Sequence, residues 1–254
     1  MLVGVIDVGA NTVRLQVSRG KLNVHRSKAM LRLGESIEEY DRLPEDKLDE
    51  TAAVVGRFAD EARRHGVRRL EVLVTSPGRQ AANGDELIPR LARSAAAPVR
   101  ILDAAEEGRL AFVGATSLSR GPSRRRIAVV DVGGGSAQIA VGTRRDGPAW
   151  VRSLEIGSMR LTSRIGFADP PGLEALATAR TEVLRHLDGV TPPLPTQPSR
   201  WAAAPARSSR SRAQNSGRLS SSTSSRCSPR LRRGRSSNGM PSSRTASARS
   251  LRER

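Results

Sequence analysis

The sequence predicts an α/β protein whose two related half-domains face one cleft. Three observations carry this expectation. Short apolar runs alternate with segments whose apolar residues recur at helical spacing. Val5-Ile6-Asp7-Val8-Gly9 returns 124 positions later as Val129-Val130-Asp131-Val132-Gly133. Composition changes near residue 190: residues 1–190 have a net charge of +5, whereas residues 191–254 hold 14 arginines, 17 serines and a single acid, Glu253, for +13. The expected organisation is a first half-domain over 1–120, the start of a second over 121–190, and a disordered Ser/Arg/Pro-rich tail over 191–254.

Taken in order, Leu2 to Ile6 is an apolar run that ends at Asp7. Gly9-Ala10-Asn11-Thr12 turns the chain, and Val13, Leu15 and Val17 alternate with polar residues as a second strand. Asn23 to His25 continues the sheet, and Gly34 to Leu43 reads as an exposed loop. Pro44 opens a helix at a position where its missing N–H costs nothing. Leu48, Ala52, Val55, Phe58 and Ala62 form the apolar stripe of that helix, and Gly66 stops it. Residues 70–74 form a strand that runs into Thr75-Ser76-Pro77-Gly78. Asn83 is placed to cap a helix through Leu91, and residues 99–102 make another short strand. Residues 104–118 form a helix with Leu110, Val113 and Leu118 toward the core. After a break at Gly121-Pro122-Ser123, residues 127–130, a turn at Gly133 to Ser136, and residues 139–141 repeat the opening hairpin. A strand over 150–154 and helices over 158–165 and 173–187 complete the body.

The formal charge of +18 belongs mainly to the tail, so whole-chain basicity is no argument for nucleic-acid binding by the body. No run of 18 apolar residues exists, which excludes a normal transmembrane helix. The opening residues lack a basic n-region, so no secretory leader is read. The lone Cys227 excludes an intrachain disulfide and a cysteine metal cluster, and a reducing cytoplasm is expected. His25, His65 and His186 share no motif spacing, so they are read as non-catalytic and a zinc site is not expected.

Each Gly-rich hairpin exposes successive backbone N–H groups, and such a nest binds phosphate oxygens without a lysine. Neither loop is a P-loop, and neither fits a dinucleotide fingerprint, because a strand follows each. Asp7 and Asp131 each end a strand beside such a loop. There a carboxylate either holds Mg²⁺, directly or through water, or simply caps the turn. Glu106 and Glu107 open a helix, where acids also occur for dipole reasons. The functional reading is that one of them deprotonates a water. Arg79 either clamps a phosphate through its fork or is a solvated side chain.

Together these segments resemble the exopolyphosphatase/guanosine pentaphosphatase (Ppx/GppA) family. The resemblance rests on residues 5–12, Thr75-Ser76 through Arg79 to Asn83, Glu106 to Phe112, Asp131 to Ser136, and Leu154 to Thr162. It implies an actin/hexokinase-like fold with a ribonuclease H-like motif in each half-domain, the second being truncated here. It implies Mg²⁺-dependent hydrolysis of terminal phosphates from polyphosphate or guanosine pentaphosphate, with orthophosphate released. Carried onto this chain, Glu107 matches the catalytic base and Glu106 the acid beside it. Asp7, Gly9, Asn11 and Thr12 match the first phosphate loop, and Asp131 with Gly133, Gly134, Gly135 and Ser136 the second. Arg79 matches a phosphate-contacting arginine, and Gly157 and Arg160 a Gly-x-x-Arg segment. Asp7, Asp131 and Gln138 occupy the metal positions.

Two departures from the family stand out. Gln138 replaces the acid that usually closes the second loop, and glutamine is neither a base nor a strong Mg²⁺ ligand. The family also continues with strands and another Gly-rich loop where residues 191–254 offer none. The codons of Arg200-Trp201-Ala202 and of residues 237–241, read at one shifted offset, can restore family-like segments. A single frameshift between about Pro192 and Ser199 is therefore expected. The alternatives to an enzyme are an impaired phosphate-binding pseudoenzyme and nucleic-acid binding through the tail. Specific nucleic-acid and membrane partners are disfavoured, and a homodimer is compatible with the sequence.

Overall fold

In the computed structural model, which describes residues 1–117, 119, 121–193 and 202–203, the opening segment forms three antiparallel strands. These are β1 (Val3–Val8), β2 (Thr12–Arg19) and β3 (Leu22–Met30). Val13, Leu15 and Val17 of β2 are buried while Arg14 and Gln16 between them are exposed, the alternation the sequence predicts. Helix α1 (Leu33–Tyr40) and helix α2 (Glu45–Arg64) follow, then β4 (Arg69–Val74), which runs parallel to β1. A short helix α3 (Ser76–Gln80), a 3₁₀ turn at Gly84–Glu86, helix α4 (Leu87–Ala95) and β5 (Val99–Ile101) complete a sheet of order β3-β2-β1-β4-β5. Helix α5 (Ala104–Thr116) leads to a second sheet with β6 (Arg126–Val132), β7 (Ala137–Thr143) and β8 (Gly147–Leu154). Helices α6 (Ser158–Ile165) and α7 (Leu173–Leu187) follow, and β9 (Ala202–Ala203) pairs parallel to β6. The second sheet, β8-β7-β6-β9, therefore repeats the order of the first as far as it goes. The chain divides into two units, Met1–Ser208 and Ser209–Arg254, and every described residue lies in the first.

The core is uneven. Among the described residues, 22 buried apolar side chains form one cluster between the first sheet and α1, α2 and α4. The second sheet holds two clusters of three buried residues each, around Phe112 and around Leu154.

Four expectations need correction. Gly34 to Leu43 is not an exposed loop: α1 buries Leu33, Gly34 and Ile37 and ends at Asp41 in the left-handed region. Its three glutamates hid the i, i+4 pair Leu33/Ile37. Leu110 and Val113 are 45% and 53% exposed, and α5 instead buries Gly108, Phe112 and Thr116. Phe112 packs with Val129 and Ala140, so this helix covers the second sheet, whereas the sequence boundary at residue 120 assigns it to the first half-domain. A Cβ at Gly108 would meet Val151 Cγ1 at 2.5 Å, so glycine permits that close approach. Leu118, read as part of the same stripe, lies outside the described residues. Asn83 does not cap α4; its side chain accepts from Leu43 N at 2.8 Å and donates to Leu43 O at 3.0 Å. Finally, a strand does form beyond residue 190, because two backbone residues suffice to pair with the open edge of β6. Apart from 191–193 and 202–203, the expected disordered tail lies outside the described residues.

Candidate active site

The two hairpin turns have the same construction. Gly9 N donates to Thr12 O at 3.1 Å, and Gly133 N donates to Ser136 O at 2.9 Å. Asp7 pairs in register with Arg14, and Asp131 with Gln138, so the 124-residue offset holds through the whole turn. Each loop is anchored by the helix that follows its three strands. Gly34 N of α1 donates to Ala10 O at 2.8 Å, and Leu31 N and Arg32 N donate to Asn11 O. Ser158 N, Met159 N and Arg160 N of α6 donate to Gly133 O and Gly134 O at 2.9–3.0 Å. Helix N-terminal amides that would otherwise lack partners are thus spent on loop carbonyls. The amides of Ala10, Asn11, Gly134 and Gly135 have no hydrogen-bond acceptor among the described residues. Free amides at a tight turn suit an anion.

These loops border a cleft of about 450 Å³ that Asp7, Glu107 and Asp131 also line. Asp7 is pushed up to about 6 by burial; Arg14 opposes the rise, and the charges of Glu107 and Asp131 add to it. Glu107 is raised by burial, then held back by Arg79 through charge and a hydrogen bond. Asp131 is raised by burial against the opposing charge of Arg14. The charge of Asp131 raises both Asp7 and Glu107, and the three carboxylates form a hard-oxygen donor set that suits a divalent cation of the Mg²⁺ type.

Of the residues expected at the site, Asp7, Gly9, Asn11, Thr12, Glu107, Asp131, Gly133, Gly134, Gly135, Ser136 and Gln138 line the cleft. Arg79 lies behind Glu107, donating to its Oε2 at 2.6 Å and to Leu102 O at 2.7 Å. Glu106 turns away from the cleft and pairs with Arg100 at 2.7 Å. Gly157 packs so closely on Gly134 that a Cβ would strike its carbonyl. Arg160 is buried against Glu38 of α1 rather than lining the cleft, with Glu155 at 3.4 Å. Gln138, at 2% exposure, donates from Nε2 to Ser136 Oγ at 2.9 Å and so fixes a loop side chain.

Arg14 was missed by the sequence reading. It lines the cleft, with Nη1 4.0 Å from Asp7 Oδ2. Extending the internal echo by five residues would have found it, since Arg14 stands where the second hairpin has Gln138. Two of the three histidines meet in space although their sequence spacing carries no motif. His25 and His65 stack at 4.1 Å, and with Glu61 they bring ligand atoms within 4.8 Å of one another, a group that could hold a divalent metal. This cluster is remote from the loops in register: His25 pairs with Val17, which pairs with Gly4.

Fold and cleft together define a mixed α/β protein with twinned glycine turns around a carboxylate cluster. Residues 15–218 match the model of the Ppx/GppA phosphatase family, and the chain belongs to that family. Exopolyphosphatase 2 of Mycobacterium tuberculosis is 31% identical over 211 residues, 78% of this chain and 65% of that protein. The crystal structure of an exopolyphosphatase from Cytophaga hutchinsonii superposes with a TM-score of 0.66 at 25% identity, over 74% of this chain and 61% of that one. The Aquifex aeolicus member of the Ppx/GppA family gives a TM-score of 0.61 at 30% identity, over 76% and 63% of the two chains. The chain thus spans less than two thirds of the length of these relatives. Among the described residues, no helix is long and apolar enough to cross a membrane.

Proposed function

We propose that this cleft hydrolyses the terminal phosphoanhydride bond of polyphosphate or guanosine pentaphosphate, releasing orthophosphate, on an actin-like scaffold in the cytoplasm. The observation that carries the reading is Glu107, oriented by Arg79 at 2.6 Å and facing the same cleft as two turns with free amides. The turn amides take non-bridging phosphate oxygens. Glu107 accepts a proton from a water whose oxygen attacks the terminal phosphorus, and the bridging P–O bond breaks with its electrons leaving on the shortened chain. Burial raises the proton affinity of Glu107, while Arg79 opposes that rise and fixes the direction of the carboxylate. Asp7 and Asp131 would hold Mg²⁺, which offsets the charge spread over the transferred phosphoryl group. Arg14 contributes fixed positive charge on the same wall.

The test is orthophosphate release from long-chain polyphosphate and from guanosine pentaphosphate with Mg²⁺. Glu107→Gln should cut turnover about 10²–10⁴-fold while polyphosphate still binds, because the turn amides are untouched. Wild-type turnover in that variant would remove Glu107 from the mechanism. A second reading, a binding protein with impaired turnover, is favoured by Gln138, whose amide is committed to Ser136 and offers no acid to the cleft. Binding without release by the unmodified chain would select it.

A further inference from the structure

Strand β3 lies at the edge of the first sheet, and its inward positions are polar where apolar residues would be ordinary: Asn23, His25 and Ser27 precede Ala29. Opposite them, Glu61 and His65 stand four residues apart near the end of α2, on one helix face. His25 Nε2 sits 2.6 Å from Glu61 Oε1, and Ser27 Oγ donates to the same oxygen at 2.7 Å. The His65 ring stacks on His25 with an interplanar angle of 24° and is itself exposed, so solvent reaches the group from one side.

We propose that His25, Glu61 and His65 form a metal site separate from the cleft, taking one late first-row divalent ion of the zinc class. Two imidazoles are borderline donors that favour zinc, nickel or copper(II) over Mg²⁺, and zinc also accepts the harder carboxylate. Three protein ligands leave one position for water in a tetrahedral shell. The ion replaces the proton shared by His25 and Glu61. Bonds of about 2.0–2.2 Å at a tetrahedral angle spread those two atoms to about 3.3 Å. His65, the exposed C-cap residue of α2, turns its side chain in without moving the core. Ser27 keeps its hydrogen bond to Glu61 and orients the carboxylate. The bound ion staples edge strand β3 to the end of α2.

The test uses the full chain, stripped with a chelator and titrated with zinc(II) against a chromophoric competitor, with cobalt(II) absorption as a second readout. One ion per chain is expected, with the visible bands of four-coordinate cobalt and a raised melting temperature. His65→Gln, an exposed change that leaves folding intact, and Glu61→Gln should each weaken zinc binding at least about tenfold. Asp131→Asn and Cys227→Ser should leave it unchanged. No zinc binding, unchanged affinity in His65→Gln, or loss in Asp131→Asn or Cys227→Ser would overturn the assignment.

Discussion

At the scale of single residues, the cleft holds its charges at a cost. Asp7 is raised from 3.8 to about 6, so it takes up its proton more readily in the folded state than in the unfolded one. Its contribution favours the folded state below about pH 4 and is lost as pH rises through about 6. Asp7→Asn should therefore match the parent near pH 4 and be more stable at pH 7. The gain should be about 1 kcal/mol, discounted because the side chain is 40% exposed. Chemical denaturation at both pH values measures it, and an equal effect at both would dissociate the shift from stability. Gln138→Glu tests the neighbouring departure. It loses the donor to Ser136 and adds a fourth carboxylate near Asp131, so it should destabilise the chain by about 1–3 kcal/mol without Mg²⁺ and recover with it. Thermal melts with and without Mg²⁺ read this, and no difference between them would remove position 138 from the metal wall. Asp7, Asp131 and the glycines were legible because chemistry and chain reversal coincide there. Arg14 was not, because an arginine on an exposed strand face carries no local signal until the register is known.

At the scale of elements, α1 and α6 anchor the two loops through backbone amides. The family resemblance implies phosphate-binding roles for Gly157 and Arg160. In the structure the amides of Ser158, Met159 and Arg160 hold the second loop, and Arg160 reaches across to Glu38, which also receives Arg164 Nε at 3.0 Å. That link joins helices 118 or more residues apart in the chain, which no local pattern reports. Removing Arg160 leaves Glu38 with Arg164 as its remaining partner. Arg160→Met should cost about 1–3 kcal/mol, and Arg160→Met with Glu38→Leu should recover most of it. Denaturant melts of the single and double variants check this; equal losses in both would mean that packing, not charge, accounts for the effect. The same limit on local reading explains α5. Its leucine and valine looked like a core stripe, but Phe112, over a second sheet assembled later in the chain, decides which face is buried.

At the scale of the molecule, burial is divided very unequally between sheets of the same strand order. The first is backed by 22 buried apolar residues, the second by two groups of three among the described residues. The two-residue β9 closes only part of the free edge of β6. Helix α7 leaves Leu173 87% exposed and Leu184 55% exposed, with Ala179 as its buried contact. Apolar burial contributes about 25 cal/mol per Å², so the thinner layer holds its hydrogen bonds with much less free energy. The loops inherit that difference: the first turn rides on the stable sheet, the second on the weaker one. Local opening should begin in the second sheet and approach the free energy of global unfolding only in the first. Native-state hydrogen exchange should show the amides of Ile6 and Leu15 protected at least about tenfold more than those of Val129 and Ala140. On the proposed function, in which polyphosphate engages both turns, its addition should slow exchange at Gly134 and Val129 more than at Ile6, because a ligand that holds the closed form suppresses the cheaper opening. Equal protection across both sheets would show that they unfold as one cooperative unit, and the asymmetry of burial would then have no dynamic consequence.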